Sequence, residues 1–204
     1  MFATRIVCYD EISNYYVEGE TVGTAEEIVN RISGEKIARP EPVDEEVVFG
    51  GGVMITETDL TGVITYANRK FCEMTGFSRE ELIGTPHSLI RHPDMPDGIF
   101  RSMWKTIRKR KIWRGYIKNI RKDGRYYWVL VYVQPKVDEK GELVGYIAGR
   151  KEAYPEEVEK IVEVYDRCRR EGVFDEELLE CNYDEMLKSG SKLDTPVKPA
   201  REEE

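Results

Sequence analysis

Residues 88–100, SLIRHPDMPDGIF, crowd Arg91, His92 and Asp94 around two prolines, and His92 is one of only two histidines in the chain. An imidazole near a carboxylate is the pair used in general acid–base chemistry, but that work needs a nucleophile, metal or substrate cleft within hydrogen-bond reach. The chain has no GxSxG, no GxxxxGK[ST], no HExxH and no GxGxxG after a strand. FGGGV at 49–53 lacks the context of a phosphate loop and reads as a flexible entry. Catalysis is therefore not expected. One reading of the motif is structural: Asp94 or Asp97 caps the helix that follows, Pro96 stiffens the approach, and His92 is partly exposed. A single cap residue would suffice for that. Arg91 and His92 together, beside a helix start, suit an anion such as a diphosphate or an adenine–ribose edge.

Of the tryptophans, Trp104 on a helical stripe and Trp128 inside a strand are expected to be packing residues. Trp113 opens a strand just past a basic helix end, where an aromatic ring either stacks on a planar ligand or packs in the core. The four cysteines, Cys8, Cys72, Cys168 and Cys181, show no CxxC and no metal-ligand spacing, as expected of a reduced cytoplasmic chain.

These residues need a scaffold, and 204 residues allow one ordinary domain with extensions. A hydrophobic share of 40% with 34% charged residues fits a folded protein, and a net charge of −8 argues against nucleic acid as the partner. The basic stretch from Arg101 to Arg125 reads as a solvated helix face. No apolar run approaches the roughly 20 residues that span a bilayer, and the N-terminus lacks a signal-peptide layout, so no membrane insertion is expected.

Residues 1–46 read as an extension: a short strand in ATRIVCYDEI, a helix in TAEEIVNRISG capped by Thr24 and stopped by Gly34, and a linker in ARPEPVDEE. From 47 to 153 the pattern tightens. VMITETD and VITYAN form a hairpin across LTG. RKFCEMTG and SREELIG are short helices, the second opened by a Ser78–Glu81 capping box. Ile99, Phe100, Met103, Trp104 and Ile107 make one apolar helical stripe. Three further strands follow, with turns at Asp123-Gly124 and around Gly141. The expected domain is α+β, a five-stranded antiparallel sheet with helices on one face. Residues 154–190 read as two helices, the first begun by Pro155, and 191–204 as a disordered tail.

The run from about Val53 to Ala153 resembles a PAS domain, through TDLTGVITYANRKFCEMTGFSREELIG and GYIKNIRKDGRYYWVLVYVQP. More narrowly, GTPHSLIRHPDMP, the Trp104 helix, Trp113 and KNIRKDGRYYWV look like the PAS domain of bacterial aerotaxis transducers, which binds FAD non-covalently. The resemblance implies flavin-site roles for Asn68, Arg91, His92, Asp94 and Trp113, and weaker ones for Asn119 and Trp128. It also implies a redox or oxygen-linked sensor in which the flavin carries the chemistry and the protein reads it out. Family receptors carry membrane and signalling segments that are missing here. The expectation is therefore a stand-alone cytoplasmic sensor that acts on a separate chemoreceptor or similar partner, with homodimerisation through the flanking helices as an option. A light-sensing LOV reading is disfavoured, because PHSLIRHPD stands where that family keeps its reactive cysteine. Two alternatives are a haem gas sensor using His87 or His92 as axial ligand, and a cofactor-free interaction module.

Overall fold

In MITET, Met54 and Thr56 are fully buried while Ile55 and Glu57 are only partly so, the period of two that a strand shows when one face lies on a core. The computed structural model describes residues 27–171. The sequence-predicted strands and helices near residues 1–26 and 172–204, and the disordered tail, lie outside the described residues. The chain divides into two compact units between Ala153 and Tyr154.

In the first unit, β1 (Glu27–Val29) and β2 (Lys36–Ala38) form a small antiparallel hairpin. Then come β3 (Met54–Thr58), β4 (Ile64–Ala67), α1 (Arg69–Thr75), α2 (Arg79–Leu82), a 3-10 turn (His87–Ile90), α3 (Asp97–Arg108), β5 (Trp113–Ile120), β6 (Tyr126–Val137) and β7 (Leu143–Glu152). The main sheet runs β4-β3-β7-β6-β5 with every neighbouring pair antiparallel. Its first strand thus pairs with its last, Met54 opposite Arg150 and Thr56 opposite Ala148. The sheet and the block of helices are those expected from the sequence. At Gly145 any Cβ would run into the Thr58 carbonyl, so β7 passes this close to β3 because the residue is glycine.

Local chemistry sets the helix ends. Asn68 caps α1: its Oδ1 accepts from the amides of Phe71 (3.0 Å) and Ile55 (3.1 Å), and its Nδ2 donates to the Val53 carbonyl (2.9 Å). Asn68 therefore joins β3, β4 and α1 through its Oδ1 and one of its two Nδ2 hydrogens. Ser78 and Glu81 make the expected capping box on α2. At α3 the structure corrects the sequence reading. The cap position is Pro96 with no side-chain bond, Asp97 is the first helical residue and pairs with Arg91, and Asp94 pairs with Lys118 at 2.7 Å.

A second correction concerns the extension. Residues 27–34, read from the sequence as part of a helix, belong instead to a hairpin of residues 27–38, because Asn30 spends its side chain on the backbone of a tight turn (Oδ1 accepts from Ile32 and Ser33 N–H, 2.9 and 3.0 Å). The proline-rich stretch after it is no loose linker. Val43 N–H donates to Gly124 O, Val47 N–H to Tyr126 O, and Tyr126 N–H to Glu45 O, which binds the segment along the β5–β6 turn.

The second unit, within the described residues, is α4 (Pro155–Glu171), with Pro155 at its first position and Ile161, Val164, Tyr165 and Cys168 on one face. No helix among the described residues is long and apolar enough to cross a membrane.

Replacing Asn68 by Ala is expected to lower stability by about 1–2 kcal/mol, the usual cost of an N-cap, read as a lower urea midpoint with unchanged slope. An unchanged midpoint would show that the cap does not hold the hairpin to α1.

Candidate functional site

The apolar stripe of α3 does not close fully onto the sheet. Phe100, Met103, Trp104 and Ile107 face Ile117, Val131 and Val133 across a cavity of about 450 Å³. That is the size of a small-molecule site, with apolar walls that suit a flat, largely hydrophobic group. Trp104, read from the sequence as core, lines this cavity and meets Tyr146 edge-on, ring centroids 5.5 Å apart.

One edge of the cavity is polar. Arg150, 4% exposed, sits at the end of β7 with its guanidinium lining the space. Nη1 donates to Thr56 Oγ1 (2.9 Å) and to the Ala148 carbonyl (3.3 Å), Nη2 reaches His87 Nε2 at 2.6 Å, and the cation lies 5.0 Å from the centre of the Phe71 ring. No carboxylate pairs with it among the described residues. Burial pulls the Arg150 pKa down to about 10, which leaves it a cation at neutral pH. His87 is pushed down to about 3, by burial first and by Arg150 second. The imidazole is therefore neutral, with Nε2 the acceptor and Nδ1 carrying the proton. Asn119 completes the edge from β5. Beside it the Tyr127 phenol is driven above its ordinary range by burial.

The residues singled out from the sequence fall into two groups. Arg91 and Asn119 line the cavity. Arg91 stacks 4.1 Å over the Phe100 ring, donates to Met95 O at 3.1 Å and pairs with Asp97; its Nε is buried without a partner. Asn68, His92, Asp94 and Trp113 do not line it. Asn68 spends its Oδ1 and one Nδ2 hydrogen on its capping bonds. His92, 3% exposed, turns its Nδ1 to the Asp94 amide (3.1 Å) and packs edge-on against Tyr126. Asp94 holds Lys118, whose ammonium lies 4.0 Å over the same Tyr126 ring. Trp113 shares a sheet face with Ile117 and Asn119 but sits at the first residue of β5, 7% exposed. Trp128, on β6, also stays outside the cavity.

Sequence reasoning passed over Arg150 and gave His87 only the part of a haem ligand. A signal for Arg150 was present: in YIAGRKE the inward positions Tyr146, Ala148 and Arg150 follow strand alternation, and a cation on a core face requires a purpose. For His87, no local pattern shows that a 3-10 turn aims it at a strand far along the chain.

Because His87 is neutral when folded but titrates near 6.5 when unfolded, the unfolded chain takes up the proton first. Stability should fall as pH drops from about 6.5 toward 3, by at most about 1.4 kcal/mol per pH unit for one proton. His87→Gln should flatten that slope between pH 6.5 and 5 in urea titrations. An equally steep variant would place the responsible proton elsewhere.

Residues 64–148 match the family model described as the PAS fold. The aerotaxis receptor of Escherichia coli strain K12 is 41% identical over 112 residues, 55% of this chain and 22% of the receptor. A nitrogen fixation regulatory protein of Klebsiella pneumoniae is 36% identical over 106 residues, 52% of this chain and 21% of that protein. The light-state structure of the blue-light photoreceptor Aureochrome1 LOV aligns with TM-score 0.47 and 22% identity, over 58% of this chain and 90% of that one. The chain thus spans about a fifth of the length of these two curated relatives. The family match runs from β4 through β6 into β7, with α1, α2 and α3 between them, and the architecture from β3 to β7 is the PAS fold.

Proposed function

We propose that this domain binds FAD non-covalently and reports redox or oxygen state to a separate signalling protein, a chemotaxis receptor or one of similar kind. The observation that carries the proposal is the Arg150 edge. A guanidinium buried beside a neutral imidazole, with no carboxylate among the described residues, is costly unless a ligand brings electron-rich oxygen or nitrogen to it. An isoalloxazine ring has that layout, with apolar faces for Ile117, Val131 and Met103 and a carbonyl edge for Arg150 and Asn119. Bound flavin supplies one- and two-electron chemistry; this chain's residues hold, orient and shield it. Arg91 and Asn119 touch the ligand. Asn68, His92, Asp94 and Trp113 position the elements around it. The similarity to an aerotaxis receptor supports the sensing role and the chemotaxis partner.

Haem fits less well. His92 lies outside the cavity, and His87 Nε2 already accepts from Arg150. A module that fills its own pocket would leave no cavity of this size.

Protein purified from flavin-replete cells should show the blue absorption of oxidised flavin. A colourless protein that stays colourless after incubation with FAD sinks the proposal, and a Soret band redirects it to haem. Arg150→Met should weaken FAD binding about tenfold to a hundredfold, as loss of a hydrogen bond from a charged group does. The same change removes a buried unpaired charge, so the ligand-free variant should melt no lower than the parent. Unaltered affinity would remove Arg150 from the site.

A further inference from the structure

The cavity has one lining residue that precedes β3 among the described residues: Ile28, in β1. It lies outside residues 64–148, so the family fold alone does not provide it. The hairpin that carries it has two three-residue strands, and a two-stranded hairpin has marginal stability of its own. Its position therefore depends on what it grips.

Among the described residues the grip is specific and small. Asn30, 1% exposed, donates from Nδ2 to the Ile83 carbonyl at 2.7 Å while its Oδ1 holds the hairpin turn. Next to it Arg31 N–H donates to Gly84 O at 2.7 Å. Gly84, at φ +87°, lies against this contact: a Cβ there would come within 2.5 Å of Asn30 Oδ1. Arg31 Nη1 then reaches Thr61 Oγ1 at 3.1 Å, and Thr61 and Gly62 are themselves part of the cavity lining, with Gly62 against the Trp104 ring. Further along, Arg39 donates to the carbonyl of Arg91, another lining residue, at 2.7 Å.

We propose that the β1–β2 hairpin is the gate of the cavity, with Ile28 its plug and Asn30 its latch on Ile83–Gly84. A segment held by a few hydrogen bonds opens at a free energy well below that of the whole domain. Ligand entry and exit then proceed by unlatching the hairpin, without unfolding the sheet or α3. The gate deepens the flavin reading by adding control of exchange to the same cavity, but it concerns access and holds for any small occupant.

The test reads access without needing flavin. In the full chain, Val131→Cys places a thiol on the cavity wall, and its labelling by N-ethylmaleimide is followed by peptide mass spectrometry, with Cys72 as internal reference. Adding Asn30→Ala should raise the labelling rate at position 131 at least about tenfold while Cys72 labelling stays constant, as expected for an opening equilibrium shifted by one lost buried hydrogen bond or more. Ile28→Ala, which leaves the latch intact, should give a smaller rise. If both variants label position 131 at the parental rate, the gate is wrong. If Cys72 accelerates in step with position 131 in both variants, access comes from global opening and the gate is equally wrong. Where FAD binds, its release from the Asn30→Ala protein should quicken by a similar factor. Fast thiol labelling in a protein that binds no flavin would retain the gate and reject only the flavin.

Discussion

A cation enclosed in protein, with no carboxylate paired to it among the described residues, is the constraint around which this domain is arranged. Arg150 cannot be left to water, since β7 is an inner strand of the sheet and the guanidinium lies on its covered face. Thr56 and the Ala148 carbonyl satisfy one end of its fork, and His87 satisfies the other only by staying neutral. The charge itself is left facing the cavity. This gives the cavity a polarity: apolar walls from α3 and β6, a positive edge from β7, and an amide beside it from β5.

The rest of the fold serves that edge. Pairing of β3 with β7 brings Thr56 opposite Ala148 and so within reach of Arg150. The Asn68 cap ties β3 to α1, which carries Phe71 under the guanidinium and beside the His87 ring, centroids 5.7 Å apart. The RHPDMP loop is fixed from three sides: by Arg91 on Phe100, by Asp94 on Lys118, and by Arg39 on the Arg91 carbonyl. Its histidine is a buried wedge against Tyr126, and the Tyr126 backbone in turn anchors the segment that follows the hairpin. A ligand that altered the stance of Arg91 would therefore be felt at residues 39–47, outside the sheet.

Where chemistry is local, the sequence was readable. Strand alternation in MITET, the Ser78–Glu81 capping box, the Asp123-Gly124 turn and the stripe of α3 each depend on residues a few positions apart, and each appears where the pattern places it. The misreadings share a different cause. Residues 27–34 carry a helical pattern, yet Asn30 folds them into a hairpin because its amide finds Ile83, which no local pattern reveals. Asn68 and His92 accept from the backbone amides of Phe71 and Asp94, a use of their side chains that the sequence reading did not foresee. Arg150 and His87 meet only because β3 and β7 are neighbours, so the strongest feature of the site became visible with the topology.

The most direct test of the central claim is a crystal structure of the full chain loaded with FAD. The account predicts the isoalloxazine ring between α3 and the inner face of β5 and β6, with the Arg150 guanidinium within hydrogen-bond distance of its carbonyl edge and Asn119 alongside. A flavin held elsewhere, or an Arg150 that keeps only its Thr56, Ala148 and His87 contacts with flavin in the cavity, would contradict it.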